Sequence, residues 1–191
     1  MNANGSAVKE ERVVFSPSVE ALLIRGVAKK MTPELQEDLK QLGIDLSRPL
    51  LPGYPSYVWQ RAVDHVARTL YPTLSMAEAQ WMLGESTVYG FEETLIGKAV
   101  IGLSRVIGPR RVLLRFTSLS KSSNNYSTMT LKELAPNDFE LEAHPYEGFP
   151  EYVQGCLHAV LDVSGAKEPQ VDLISHDTAA ERIVLRATWK A

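Results

Sequence analysis

Three short stretches hold residue types that chemistry uses. Ser175-His176-Asp177 carries the members of a hydrolytic triad in one run. Successive strand residues point to opposite faces, and triad partners converge from distant parts of a chain, so the run reads as a strand end entering a turn shaped by Asp177. Cys156 and His158 invite a thiol–imidazole pair. Two steps along a helix turn a side chain through roughly 200°, so they face apart. Cys156 then falls on an apolar stripe as a small core residue, and His158 faces solvent or the helix–sheet edge. "GFEETLIGKA", from Gly90 to Ala99, approaches a phosphate loop. Its glycine spacing is wrong, and Ala99 stands where a metal-binding hydroxyl is needed.

Metal chemistry has few ligands to draw on. No two of the four histidines, His65, His144, His158 and His176, form a His-x-x-x-His pair. One cysteine excludes an intramolecular disulfide and any multi-cysteine zinc site. Glu92-Glu93 and Glu140 with Glu142 read as solvated faces of a helix and a strand. No catalytic residue and no metal ligand is assigned, and an enzyme is not expected.

The most polar run in the folded part is "SKSSNNYSTMTL", Ser120 to Leu131. Asparagine and serine bond to nearby backbone and tolerate left-handed conformations, so the run suits a hinge where helix gives way to strand. The functional alternative makes Asn124, Asn125 and Tyr126 the rim of a pocket, with Arg115 one helical turn earlier as an anion contact.

The elements that must position these residues follow from periodicity and punctuation. Residues 1–11 read as a flexible tail and 12–191 as a single domain. Ser16-Pro17-Ser18 opens a short helix ending near Gly26; Thr32 caps a second with Pro33 at its first position and Gly43 at its end. "RPLLPGYP", Arg48 to Pro55, reads as an ordered loop. A helix then carries Trp59, Val63, Val66 and Leu70 and stops before Pro72. Ser75 and Glu78 form a capping box. From there to Gly108 an apolar stripe persists, with glycines at 84, 90, 97 and 102. These mark a break near Gly84–Gly90, or the approach of another backbone. One more helix follows Pro109. Alternation around Met129, Leu131, Phe139, Leu141 and Ala143 then marks a hairpin, Pro150 to Gly165 a helix, and Val171 to Trp189 two more strands. The class is α+β: an N-terminal helical half followed by a β-β-α-β-β antiparallel four-stranded sheet.

The totals are those of an ordinary soluble domain. The chain has 191 residues, 45% hydrophobic and 23% charged, with a formal net charge of −3. An acidic balance and scattered basic residues argue against binding nucleic acid. The start, "MNANGSAVKEER", has no apolar core of a signal, and Val88 to Ile107 is interrupted by Glu92, Glu93, Lys98 and Arg105. A cytoplasmic protein without membrane insertion is expected.

From about Val13 the chain resembles a family of proteins about 200 residues long, of unknown function, found as many paralogues in myxobacterial genomes. The matching stretches are "VVFSPSVEALLIRGV", "LGIDLSRPLLPGYP", "TLIGKAVIGLSRVIGPRRVL", "SSNNYSTMTLKELAPNDFELE", "FPEYVQGCLHAVLDVSGAK" and "VDLISHD". In layout, helices followed by β-β-α-β-β resemble the haem-nitric-oxide-binding, vinyl-reductase-type and transport-particle-subunit folds. Those folds imply binding of haem, small aromatic molecules or acyl chains, or assembly with partners. Haem sensors of this type use Tyr-x-Ser-x-Arg and a histidine on a preceding helix. Here Tyr126 and Thr128 remain, Thr130 replaces the arginine, and no histidine lies between Val66 and Ala143. No cofactor is expected.

The leading expectation is therefore a non-enzymatic sensory or regulatory module that holds a small apolar or amphipathic ligand between helices and sheet. The alternative is a protein-interaction adaptor or homodimerising scaffold that uses Tyr54, Tyr57, Tyr146 and Phe149 as exposed apolar groups.

Overall fold

The structure is a computed structural model and describes residues 11–190. The tail expected over 1–11 lies, but for Glu11, outside them. A three-residue strand β1 (Val13–Phe15) leads into α1 (Ser16–Val19), which continues as a π-helical segment, Glu20–Gly26. Next come α2 (Pro33–Leu42), β2 (Gly53–Pro55), α3 (Ser56–Leu70), α4 (Met76–Glu92), α5 (Leu95–Ile107) and α6 (Pro109–Ser120). The second half holds β3 (Thr128–Ala135), β4 (Asp138–His144), α7 (Pro150–Val163), β5 (Lys167–Asp177) and β6 (Arg182–Lys190).

Local chemistry explains most boundaries. Thr32 Oγ1 accepts from Leu35 N at 3.2 Å, and Gly43 closes α2 with a left-handed φ of 108°. Both halves of the Ser75–Glu78 capping box are made. The break in the long apolar region falls later than the glycines suggest. Thr94 caps α5 by accepting from Gly97 N at 2.9 Å, whereas Gly84 and Gly90 continue α4 and let backbone come close. A Cβ on Gly84 would run into Tyr152 O, and one on Gly90 into Ala21 O.

The proline-rich loop holds a surprise at its end. Gly53–Pro55 is a strand, paired antiparallel with β1 through Val14 opposite Tyr54. Three residues are too few for alternation to show, so neither strand is legible by pattern.

The larger sheet is antiparallel, in the order β3-β4-β6-β5. β4 and β5 are not neighbours; α7 crosses between them and β6 fills the gap. Phe139, Leu141 and Ala143 of β4 and Ile183, Leu185 and Ala187 of β6 point to one buried face. The other face is charged, with Arg186 paired to Asp138 at 2.6 Å. α7 lies between the sheet and the helical half, so it is covered on both sides. His158 is thereby corrected from a position at solvent or at the helix–sheet edge to one against α4. It is half-buried, its Nδ1 2.8 Å from Glu85 Oε1 and its ring against Trp81.

Two apolar clusters result. One gathers Leu22, Leu23, Leu39, Val63 and Leu83 among the N-terminal helices; the other gathers Phe139, Leu141, Leu157, Ile183 and Leu185 between α7 and the sheet. No helix of the described residues is long and apolar enough to cross a membrane.

Candidate functional site

Where the two clusters meet, they leave a cavity of about 330 Å³. Trp59 and Val63 of α3 form one wall, with Thr87, Val88 and Phe91 of α4. Val100 and Ile101 of α5 and Val112 and Phe116 of α6 form a second. α7 supplies Tyr152, Val153, Cys156 and Val160, and the hinge before β3 supplies Asn124, Tyr126 and Ser127. Apolar groups dominate. Among the described residues the lining holds one carboxylate, Glu147, and no lysine, arginine or histidine.

The hinge residues divide their work. Asn124 lines the cavity, but its Oδ1 is held by Tyr126 N at 3.1 Å and Ser127 N at 2.7 Å, an Asx turn that starts β3. Asn125 points away and clamps β1: its Oδ1 accepts from Val13 N at 2.8 Å, and its Nδ2 donates to Glu11 O at 3.0 Å. Backbone bonds Phe15 N→Ser123 O and Asn125 N→Val13 O complete this contact. Tyr126 lines the cavity, and its hydroxyl has no hydrogen-bond partner among the described residues. Arg115 is exposed on α6 and is not part of the lining. The structure thus brings Asn124 and Tyr126 together at the cavity and leaves Asn125 and Arg115 outside it.

An ion-pair strap crosses near Tyr126. Arg12 bonds Glu147 Oε1 and, at 2.6 Å, Glu181 Oε2, while its guanidinium lies 5.6 Å from the Tyr126 ring centroid. Ser56 Oγ donates to the other Glu147 oxygen at 2.9 Å. The bond to Glu181, above all, raises the Arg12 pKa further. Burial, aided by the Glu147 charge, pushes Tyr126 up to about 12. Burial also holds the Tyr146 and Tyr152 hydroxyls well above their ordinary range and the Cys156 thiol at about 12. All four are neutral at physiological pH.

Bonding inside the cavity explains several liners that sequence reasoning missed. Tyr152 OH and Thr87 Oγ1 are 2.6 Å apart, and Tyr146 OH donates to Phe149 O at 2.7 Å. Cys156 Sγ donates to Gly84 O at 3.3 Å, so it is a cavity residue as well as a packing one. Polar atoms at positions 87 and 152 do not announce their pairing, because they are far apart in the chain. The alternation of small and large residues in α7, with Gly155 and Ala159 beside Tyr152 and Val160, was the available signal for a helix packed on both sides.

The groups expected to be exposed are mostly not. Tyr54 is buried and Tyr146 and Phe149 line the cavity; Tyr57 alone of the four is open, at 61%. Exposed apolar surface lies instead on α5, where Ile96, Leu103 and Val106 are 71%, 52% and 82% exposed. Ser175, His176 and Asp177 are all exposed, and Asp177 Oδ1 accepts from Ala180 N in the turn.

The chain belongs to the family described as Protein of unknown function (DUF2378), whose model matches residues 12–190. No curated protein matches its sequence. Among solved structures it resembles an Fe(II) unliganded H-NOX protein from K. algicida, with a TM-score of 0.63, 9% identity, and coverage of 92% of this chain and 95% of that one. It also resembles an oxygen-binding H-NOX domain related to soluble guanylate cyclases, with a TM-score of 0.61, 15% identity, and 92% of each chain covered. In outline, then, the fold is that of the H-NOX domains.

That fold raises haem as a test, and the residues do not fit it. His65 bonds Asp38, His144 lies against Glu181 O, His158 bonds Glu85, and His176 is exposed; none lines the cavity. Of the other groups that could hold iron, Tyr146 OH is already engaged on Phe149 O, Tyr152 OH with Thr87 Oγ1, and Cys156 Sγ on Gly84 O. Thr130, standing where the motif needs arginine, is exposed on the outer side of β3, and the described residues of the lining offer no cation to a propionate.

Proposed function

We propose that this member of the family is a non-enzymatic sensory or regulatory module that holds a small apolar or amphipathic molecule in the cavity between helices and sheet. The observation that supports this most is the cavity itself, about 330 Å³ and bounded by both apolar clusters. Ligand sites range upward from about 300 Å³, lined by apolar and aromatic groups with a few polar ones. A dry apolar cavity of about 150 Å³ accepts benzene, so this one suits a molecule of roughly thirteen non-hydrogen atoms. A porphyrin is several times larger. The Asn124 turn and Tyr126 form the rim in this reading, with Trp59 and Phe91 as aromatic walls.

Native mass spectrometry on protein from its own host, compared with the denatured mass, tests the reading. An extra mass of a few hundred daltons or less, lost on denaturation, is the expected result. A bare chain whose cavity also takes up no apolar probe would overturn it.

A second reading, an interaction adaptor or homodimerising scaffold, is favoured by Ile96, Leu103 and Val106, which form one exposed apolar line along α5. Sedimentation across a concentration series separates the two: self-association lost in Val106→Glu supports the scaffold, and a monomer at all concentrations removes the homodimer.

A further inference from the structure

The cavity's electrostatics narrow what it can hold. Glu147 is the lone charged residue in the described lining, and both of its carboxylate oxygens are taken, one by Arg12 and one by Ser56. Arg12 itself is outside the lining and divided between Glu147 and Glu181. An entering carboxylate or phosphate would leave water, meet a fixed negative charge and find no cation to pair with, the most costly kind of burial.

The polar groups that remain are neutral, and they differ in how committed they are. Tyr146 and Tyr152 already use their hydroxyls, on Phe149 O and Thr87 Oγ1. Asn124 Oδ1 is committed to two backbone N–H groups. Tyr126 and Ser127 are different. The Tyr126 ring is seated under Arg12 and its hydroxyl has no partner among the described residues. The buried Ser127 Oγ beside it has none either, but the phenol is the longer donor and the one that reaches furthest from the backbone. An unpartnered phenol hydroxyl at the lining leaves a donor available to a ligand. Its raised pKa keeps the proton in place across the physiological range.

Resting on the cavity reading above, we infer that the ligand is an uncharged molecule of roughly thirteen non-hydrogen atoms with one carbonyl or hydroxyl oxygen, which accepts a hydrogen bond from Tyr126 while the rest lies against the apolar walls. Fatty-acid anions and phosphate esters of the same size are disfavoured.

Equilibrium dialysis at pH 7 against 2-decanone, decanoate and butylbenzene tests this, with the wild-type chain and Tyr126→Phe compared. The ketone is expected to bind at least about tenfold more tightly than decanoate. Tyr126→Phe should weaken the ketone about five- to tenfold and leave butylbenzene unchanged. Decanoate binding as tightly as the ketone would overturn the inference while the cavity reading stood. Equal loss for ketone and hydrocarbon in Tyr126→Phe would remove the hydrogen-bond assignment, since a packing defect alone does that. Binding of none of the three would overturn the cavity reading and the inference with it.

Discussion

Two helical regions of this molecule carry glycine to opposite effect. Where α4 meets α7, glycines on both helices bring backbone against backbone: a Cβ on Gly84 would strike Tyr152 O, and one on Gly155 would strike Trp81 O. On α5, Gly102 has open space where its Cβ would be, and the neighbouring Leu103 and Val106 are largely exposed. The first region is a closed spine and the second a lightly covered flank, and the cavity lies between them. One residue type serves close approach in one place and nothing visible in the other. The glycines of this chain therefore have to be read through their neighbours.

The sharpest way to break the spine is to fill it. Gly84→Ala and Gly155→Ala should each cost about 2–4 kcal/mol, because the atoms they would meet are backbone and cannot rotate away. Chemical denaturation checks this, and a loss under 1 kcal/mol would mean that the helices separate more easily than the contact implies.

Arg12→Ala comes next, at about 1–3 kcal/mol, since two carboxylates lose a charged donor while Ser56 remains on one of them. The same variant should raise protease cleavage near β1, which limited proteolysis would show.

Alkaline pH probes the buried face that the spine shares with the cavity. The Cys156 pKa is raised from 9 to about 12 by burial, so the folded chain keeps a proton that the unfolded chain releases. Its contribution is intact below pH 9 and is lost as pH rises from 9 toward 12, by up to about 1.4 kcal/mol per pH unit. Tyr126, raised from 10 to about 12, adds to the slope above pH 10. Cys156→Ala should flatten the onset between pH 9 and 10 in thermal melts; an unchanged slope there would place the titration elsewhere.

Smaller effects belong to the flank. Gly102→Ala should stabilise by about 0.5–1 kcal/mol, the helix-propensity difference with nothing to collide with. Val106→Ser should change monomer stability by no more than about 0.5 kcal/mol, as an 82% exposed side chain loses little on truncation. A large loss in either variant would show that α5 is covered in solution.

Legibility followed the range of the interactions. The Thr32 cap, the Gly43 stop and the Ser75–Glu78 box are made between residues a few positions apart, so their partners stand beside them in the sequence. The alternation of Phe139, Leu141 and Ala143 is as local, because a strand's faces repeat every second residue. β1 and β2 escaped because three residues hold no period. Glycine signals both a weak helix and a close neighbour; at Gly84 and Gly90 the close neighbour is what the structure holds, and the helix breaks at Thr94 instead.

The candidate site shows the same division within two adjacent residues. That Asn124-Asn125 would satisfy backbone at a helix-to-strand hinge was determined by the sequence alone, through short amide side chains that bond locally. That Asn124 turns the chain into β3 beside a cavity while Asn125 ties down Val13 was decided by the tertiary structure. The reason is distance along the chain. Glu147, Tyr152 and Trp59 meet Tyr126 at one cavity only after α7 and the N-terminal helices have packed, and no periodicity records a contact between residues that far apart.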